Sequence, residues 1–238
     1  IHDSIIEEVE ENHSNGSRGV RYIPHHPVAK KSTDNLNTRI VFDASSKDEH
    51  GMALNDIIAE GPNLNPDVLQ VLLRFRARKY AIGSDIRKAF LQIWLSPEDR
   101  DLFRFLWFNT DNVNDAKLTL YRMTRVPFGA RSSPFLLAET LKYHFESMKY
   151  KYPETVELLL ENFYVDDILS SFETENECLK FVHEANYIIS DMKATLGKWK
   201  SNCDAVMKTV GKKEVECTGP PDERCWLHGI GGKLVATG

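Results

Sequence analysis

Short apolar runs and longer helical stripes follow one another along this chain. Arg39-Ile-Val-Phe-Asp43 is a brief apolar run between polar stretches and predicts a strand. Asn65-Pro66 caps and opens a predicted helix through about Lys79, with Val68, Leu69, Leu72, Leu73 and Phe75 on its buried face. Tyr80 to Ile86 reads as an apolar strand. Ser96-Pro97-Glu98 reads as another helix start, and the aromatic runs Leu102 to Phe108 and Leu118 to Val126 read as strands. Ser133-Pro134 opens a longer helix in which Leu137, Leu141, Phe145 and Met148 recur on one stripe, and Pro153 to Asn162 predicts a second. In Phe163-Tyr-Val-Asp-Asp-Ile-Leu169, apolar residues flank two adjacent aspartates, the pattern of a tight hairpin with both carboxylates at its turn. Thr174 and Glu177 form a capping box for a helix running to about Thr195. Hairpin-like pairs outnumber βαβ units, so the expected class is α+β, an antiparallel sheet with helices packed on one face.

Composition narrows the picture. With 238 residues and 42% apolar content the chain can bury a substantial core. No apolar window is long enough to cross a membrane and no signal-peptide pattern is present, so a soluble intracellular protein is expected. The four cysteines, Cys178, Cys203, Cys217 and Cys225, are unevenly spaced and read as free thiols. Formal net charge is −5, yet acid and base are segregated. Glu7, Glu8, Glu10 and Glu11 crowd the start, whereas Arg74, Arg76, Arg78 and Lys79 form one basic run and Lys198 with Lys200 begin another. Nucleic-acid binding needs a local basic surface rather than a basic total. His25 and His26 read as a Pro-flanked loop without further ligands at metal-binding spacing, and Trp94, Trp107 and Trp199 read as core or interface.

The aspartate pair carries the chemistry. Like charges about 4 Å apart repel by roughly 4 kcal/mol at an effective dielectric near 20. A divalent cation offsets that directly, because Mg²⁺ takes one or two carboxylates and completes its shell with water and phosphates. An exposed Asp-Asp turn would need no metal, but Tyr80 to Ile86 brings a further carboxylate, Asp85, ahead of Arg87-Lys88-Ala89-Phe90. If that strand lies beside the hairpin, Asp85 and Asp166 can clamp two metals for phosphoryl transfer, with Arg39 and Lys30 or Lys31 supplying positive charge.

At this point the residues resemble a family, the reverse transcriptases of retroviruses and long-terminal-repeat retrotransposons, and among them the BEL/Pao group most closely. The similarity spans about residues 20 to 202. It rests on Tyr22-Ile-Pro-His-His-Pro-Val, Arg39-Ile-Val-Phe-Asp-Ala-Ser, Leu54-Asn-Asp, Gly61-Pro-Asn-Leu, Asp85-Ile-Arg-Lys-Ala-Phe-Leu-Gln-Ile, Tyr121-Arg-Met-Thr-Arg-Val-Pro-Phe-Gly, Phe163-Tyr-Val-Asp-Asp-Ile-Leu-Ser and Lys198-Trp-Lys-Ser-Asn, in that order.

The resemblance implies an RNA-directed DNA polymerase with right-hand fingers and palm, two Mg²⁺ ions with Mn²⁺ as a substitute, a primed RNA or DNA template and dNTPs. It implies fingers over 20–62 and 94–131, palm over 63–93 and 132–202, a poorly ordered acidic segment over 1–19 and an uncertain tail over 203–238. Asp85 and Asp166 match metal ligands, with the Ile86 carbonyl beside them, and Asp167 matches the partner aspartate. Arg39, with Lys30 or Lys31, matches groups on the incoming triphosphate. Phe128 and Gly129 match a motif whose backbone approaches the nucleotide. Phe90 matches an aromatic gate against a ribose 2′-hydroxyl, and Lys198 or Lys200 is the candidate proton donor to pyrophosphate.

After about Asn202 the resemblance fades, and Trp226-Leu-His-Gly only echoes a primer-gripping hairpin. Protease, ribonuclease H and integrase would lie outside this segment of a Pol polyprotein, which reads as a piece of something longer in cytoplasmic retrotransposon particles. The rival readings are a decayed or domesticated fragment that binds nucleic acid or protein without catalysis, and an RNA-dependent RNA polymerase.

Overall fold

The structure, a computed structural model, describes residues 5–10, 19–31, 36–108 and 116–210. Cys217, Cys225 and the Trp226 stretch lie outside them. The chain divides into two units: one takes residues up to Gly61 together with Phe90–Ser133, and the other takes Pro62–Ala89 and the described chain from Pro134.

In the first unit, β1 (Ile6–Glu8), β5 (Arg104–Phe108) and β6 (Leu118–Met123) form an antiparallel sheet in the order β1-β6-β5. A hairpin of β2 (His25–Lys31) and β3 (Leu36–Phe42) pairs His25 with Phe42 and Val28 with Arg39. The short helix α1 covers Leu54–Ile57. Its core gathers Ile23, Phe103, Phe105, Tyr121, Met123 and Val126. Within that apolar surround, the fully buried Asp101 accepts from Arg104 Nε at 2.9 Å and from Arg122 Nη1 at 2.8 Å, and Glu7 accepts from Arg122 Nε at 2.6 Å. Buried charge is tolerated only when paired in this way.

Three expectations change here. Ile6–Glu8, inside the stretch expected to be poorly ordered, is a strand, because Glu7 meets arginines on its neighbours. His25 and His26 lie in β2 rather than a loop; His25 stacks on Trp107 with ring centroids 5.0 Å apart. Ser96-Pro97-Glu98 leads only to a 3-10 turn over Arg100–Phe103. Trp94 packs under the Arg125 guanidinium, 3.5 Å from the ring centroid.

The second unit is a four-stranded antiparallel sheet, β7-β8-β4-β9, of β4 (Tyr80–Ile86), β7 (Phe163–Tyr164), β8 (Asp167–Phe172) and β9 (Leu196–Ser201). It is flanked by α2 (Val68–Arg76), α4 (Pro153–Asn162) and α5 (Glu175–Asp191), while α3 (Ser133–Met148) and α6 (Asp204–Val210) complete the unit. Ile82, Leu159, Ile168, Phe181, Ile188 and Ile189 form a fully buried core. Each such side chain contributes about 2 kcal/mol on leaving water. Leu137, Leu141 and Phe145 are buried on the α3 stripe, and Met148 is half-buried. The Thr174–Glu177 capping box opens α5.

The helix expected from Asn65-Pro66 begins later. Asp67 is its cap, accepting from the backbone N–H groups of Leu69 and Gln70, because the Asn65 carboxamide is engaged elsewhere. Its buried face also differs. Val71 is fully buried, whereas Leu69 and Leu73 are 62% and 61% exposed and Val68 and Leu72 are exposed too. Periodicity located the helix but not which side of it meets the sheet. Cys178 and Cys203 are buried free thiols, and burial pushes the Cys178 thiol up to about 12. Among the described residues no helix is long and apolar enough to cross a membrane.

Candidate active site

The strand β4 alternates buried Ile82, Ser84 and Ile86 with Gly83 and Asp85, so Asp85 points away from the core on which Ile82 and Ile86 sit. Across the ladder, Asp85 is registered directly against Asp167, the first residue of β8. Opposed residues of an antiparallel pair have Cα atoms about 4.5–5.5 Å apart. The two-residue connection from β7 to β8 is Val165-Asp166, since Tyr164 pairs with Asp167. The Ile86 backbone N–H donates to the Asp166 carbonyl at 2.9 Å, tying the end of β4 to this turn. Asp85, Ile86, Asp166 and Asp167 therefore come together from sequence positions about eighty residues apart.

Val165 holds φ at 58°. For a β-branched residue this left-handed conformation costs roughly 1–3 kcal/mol and persists only where the surroundings impose it. On the other side of β4, β9 brings in Lys198, also at positive φ, whose Nζ forms an ion pair with Asp85 Oδ2. The ammonium is largely exposed and the carboxylate is not. Lys200 pairs with Gly83 and is exposed, so of the two lysines Lys198 is the one at the acid. At Gly197, next to Lys198, a Cβ would lie 2.6 Å from Arg87 Nε, so a side chain there would displace that of Arg87.

Asp85 Oδ1 is buried and has no hydrogen-bond partner among the described residues. An orphaned carboxylate oxygen is costly in a folded protein. The Asp167 carboxyl is raised above the usual range, first by partial withdrawal from water and then by Asp166 and Asp85, with Lys198 acting in the opposite sense. No three His, Cys, Asp or Glu side chains form a closed metal cage among the described residues. A hard cation such as Mg²⁺ does not ask for one, because it keeps several waters and is held by one or two carboxylates. The donors present, acidic oxygens with one unpartnered and one capped by an ammonium, fit that requirement.

The remaining candidates belong to the first unit. Arg39 is exposed on β3. Lys30 and Lys31 end β2. Phe90 is buried and packs edge-to-face on Phe128, with centroids 4.7 Å apart. Gly129 has φ 95°, and a Cβ there would stand 2.6 Å from the Phe42 carbonyl oxygen, so only glycine fits.

Two asparagines were given no role at the site by the sequence, Asn65 being read only as a helix cap. Asn55 donates to the Gly129 carbonyl at 3.0 Å and accepts from Arg131 N at 2.8 Å, fixing the Phe128–Gly129 loop. Asn65 accepts from Val165 N at 3.1 Å. Asn55 falls within the quoted Leu54-Asn-Asp motif and Asn65 follows Gly61-Pro-Asn-Leu directly, but nothing local reveals partners so distant in the chain.

Against known proteins, residues 37–219 match the family model described as reverse transcriptase (RNA-dependent DNA polymerase). The chain is 33% identical to the Gag-Pol polyprotein of avian reticuloendotheliosis virus over 119 residues, covering 47% of this chain and 10% of the polyprotein. It is 29% identical to the Gag-Pol polyprotein of baboon endogenous virus (strain M7) over 136 residues, 54% of this chain and 8% of that one. In structure it is similar to the foamy viral protease-reverse transcriptase in complex with double-stranded DNA, with TM-score 0.53 and 21% identity over 79% of this chain and 27% of that chain. The prototype foamy virus protease-reverse transcriptase CSH mutant gives TM-score 0.55 and 20% identity over 81% of this chain and 21% of that one. The chain thus spans about a tenth of these polyproteins and about a quarter of the solved chains. At such identity the structural likeness bears on fold: a mixed architecture with an antiparallel sheet flanked by helices, as in the fingers and palm of those proteins.

Proposed function

Because this chain belongs to the reverse transcriptase (RNA-dependent DNA polymerase) family, we propose that it extends a primer 3′-hydroxyl with deoxynucleoside triphosphates on an RNA or DNA template. The observation that carries the reading is the direct register of Asp85 on Asp167, with a buried Asp85 oxygen left without a partner among the described residues. Asp85 and Asp166, with the Ile86 carbonyl, would hold two Mg²⁺ ions, for which Mn²⁺ can substitute. Those ions, when bound, supply activation of the attacking hydroxyl and neutralisation of the leaving pyrophosphate. Asp167 holds its neighbours' geometry from the facing strand.

Arg39, with Lys30 or Lys31, contributes positive charge for the triphosphate, and Phe128 and Gly129 offer backbone to the nucleotide; these roles come from the resemblance. Phe90 excludes a ribose 2′-hydroxyl. Lys198, already against Asp85, is better supported than Lys200 as the proton donor. The first unit serves as fingers and the second as palm. The protein works in the cytoplasm, inside retrotransposon particles, as part of a Pol polyprotein alongside protease, ribonuclease H and integrase. Its motif set supports a BEL/Pao origin, which the retroviral relatives do not distinguish.

Primer extension on poly(rA)/oligo(dT) with Mg²⁺ or Mn²⁺, comparing the chain with Asp166→Asn, tests this. Incorporation by the chain that the variant lacks, with folding retained, is expected. No incorporation by either protein, while both bind the primed template, would point to a non-catalytic fragment.

A further inference from the structure

Val165 and Asp166 make the turn between β7 and β8, and the turn is tethered on both sides. The Asp166 carbonyl accepts from Ile86 N at 2.9 Å. The Val165 N–H donates to Asn65 Oδ1 at 3.1 Å, from a residue 100 positions earlier. The orientation of that carboxamide follows from its other end: Asn65 Nδ2 donates to Asn63 Oδ1 at 3.2 Å, and Asn63 Oδ1 also accepts from Asn65 N at 3.1 Å. With the amide nitrogen committed to an acceptor, the oxygen faces an N–H.

The pairing of Tyr164 with Asp167 across a two-residue connection already favours positive φ at Val165, a conformation a β-branched residue adopts at a cost. A half-open cavity of about 250 Å³, lined in part by Leu64, Pro66, Leu141, Phe163 and Val165, lies against the turn, so packing on that side is incomplete. The residue nonetheless keeps φ at 58°, which needs an external constraint. The same loop leads into α2, which also grips the foot of the hairpin. Arg74 Nε donates to Asn162 Oδ1 at 2.8 Å, and Ser171 Oγ donates to the Arg74 carbonyl at 2.6 Å.

We propose that Asn65 is a positioning residue for the acidic hairpin: by accepting from the Val165 N–H it holds the left-handed turn, and with it the Asp166 carboxylate. Its consequence for catalysis rests on the reading of Asp166 as a cation ligand. Asn65 touches no reacting group and acts through the backbone of Val165.

The test uses the full chain, Asn65→Ala and Asn65→Asp, which keeps an acceptor oxygen of the same reach. Hydrogen exchange at the Val165 amide is read first, with thermal unfolding as a control for folding. Asn65→Ala is expected to speed that exchange about tenfold, and Asn65→Asp to restore protection. In the same proteins Mn²⁺ binding, followed by electron paramagnetic resonance, should weaken about tenfold in Asn65→Ala. In primer extension the loss should fall on kcat rather than on KM for dNTP. Unchanged Val165 exchange in Asn65→Ala, or equal loss of protection in Asn65→Asp, overturns the assignment. A parent chain that neither binds Mn²⁺ nor extends primers would instead defeat the polymerase reading, and the exchange result would still decide the role of Asn65.

Discussion

Asp85 and Asp167 face each other directly across β4 and β8, two like charges placed where a sheet ordinarily puts complementary ones. The arrangement is unfavourable for the isolated chain, and on the proposed function a divalent cation joining the carboxylates would relieve it. Only one of the Asp85 oxygens is met by Lys198.

Thermal stability should therefore rise with divalent cation. A ligand at about 100 times its Kd stabilises by about 2.7 kcal/mol, which for a chain of this size is a shift of about 5–10 °C. Asp85→Asn and Asp166→Asn should each remove most of that rise while leaving the chelated protein at least as stable as before. Differential scanning fluorimetry with and without Mg²⁺ measures it, and an undiminished rise in both variants would count against the site. In primer extension each substitution should cost about 100-fold or more in rate, equivalent to about 2.7 kcal/mol of barrier.

Lys198 is paired with the carboxylate that, on the proposed function, would hold the cation. Lys198→Ala should tighten Mn²⁺ binding several-fold, because an ammonium no longer competes for Asp85 Oδ2, while slowing nucleotide incorporation if the same lysine supplies the proton. Lys200→Ala should leave both unchanged. Metal titration and single-turnover kinetics on the pair separate the two lysines that the sequence left open.

Phe90 packs edge-to-face against Phe128. Phe90→Val should admit ribonucleotides, and Phe128→Ala should do so to a smaller extent by letting the Phe90 ring move. The Phe90 truncation should also cost about 2–4 kcal/mol of stability, as buried aromatic deletions do, and the Phe128 truncation less, since that ring is half exposed. Primer extension with rNTP against dNTP reads the selectivity, and unchanged discrimination in Phe90→Val would remove it from the gate.

His144 lies buried on α3 and its Nε2 donates to the Ile188 carbonyl at 2.8 Å. Burial holds its pKa below the ordinary value of 6.5, with the Ile188 bond and Asp191 pulling the other way. A depressed histidine is neutral in the folded state and takes up a proton more readily when unfolded. Its contribution to stability is thus full above about pH 6.5 and declines as pH falls toward and through its folded value. Denaturant titrations between pH 7.5 and 5 should show this decline, and His144→Gln, which keeps a donor, should flatten it.

Much of this fold could be read from local pattern. The helix over Pro153–Asn162 and the strand Tyr80–Ile86 occur at the bounds expected, because a proline at the first turn and an unbroken apolar run are signals carried by a few adjacent residues. The Thr174–Glu177 cap is equally local. The exposed leucines of α2 were misread, since a helical stripe says that one side is apolar without saying what covers it. Ile6–Glu8 escaped for a related reason: a three-residue strand has no period of its own and exists through its pairing with Tyr121–Met123.

The sequence by itself determined which acidic residues stand in apolar settings, where the turn between Tyr164 and Asp167 must fall, and which family the motifs resemble. Chain connectivity is silent on the rest. That Asp85 meets Asp167, that Lys198 rather than Lys200 reaches the carboxylate, and that Asn65 holds Val165 depend on strand register and on side chains about a hundred residues apart. Register is set by burying one face of a whole sheet at once, so a one-residue slip would turn Asp85, Asp167 or Lys198 to the wrong side.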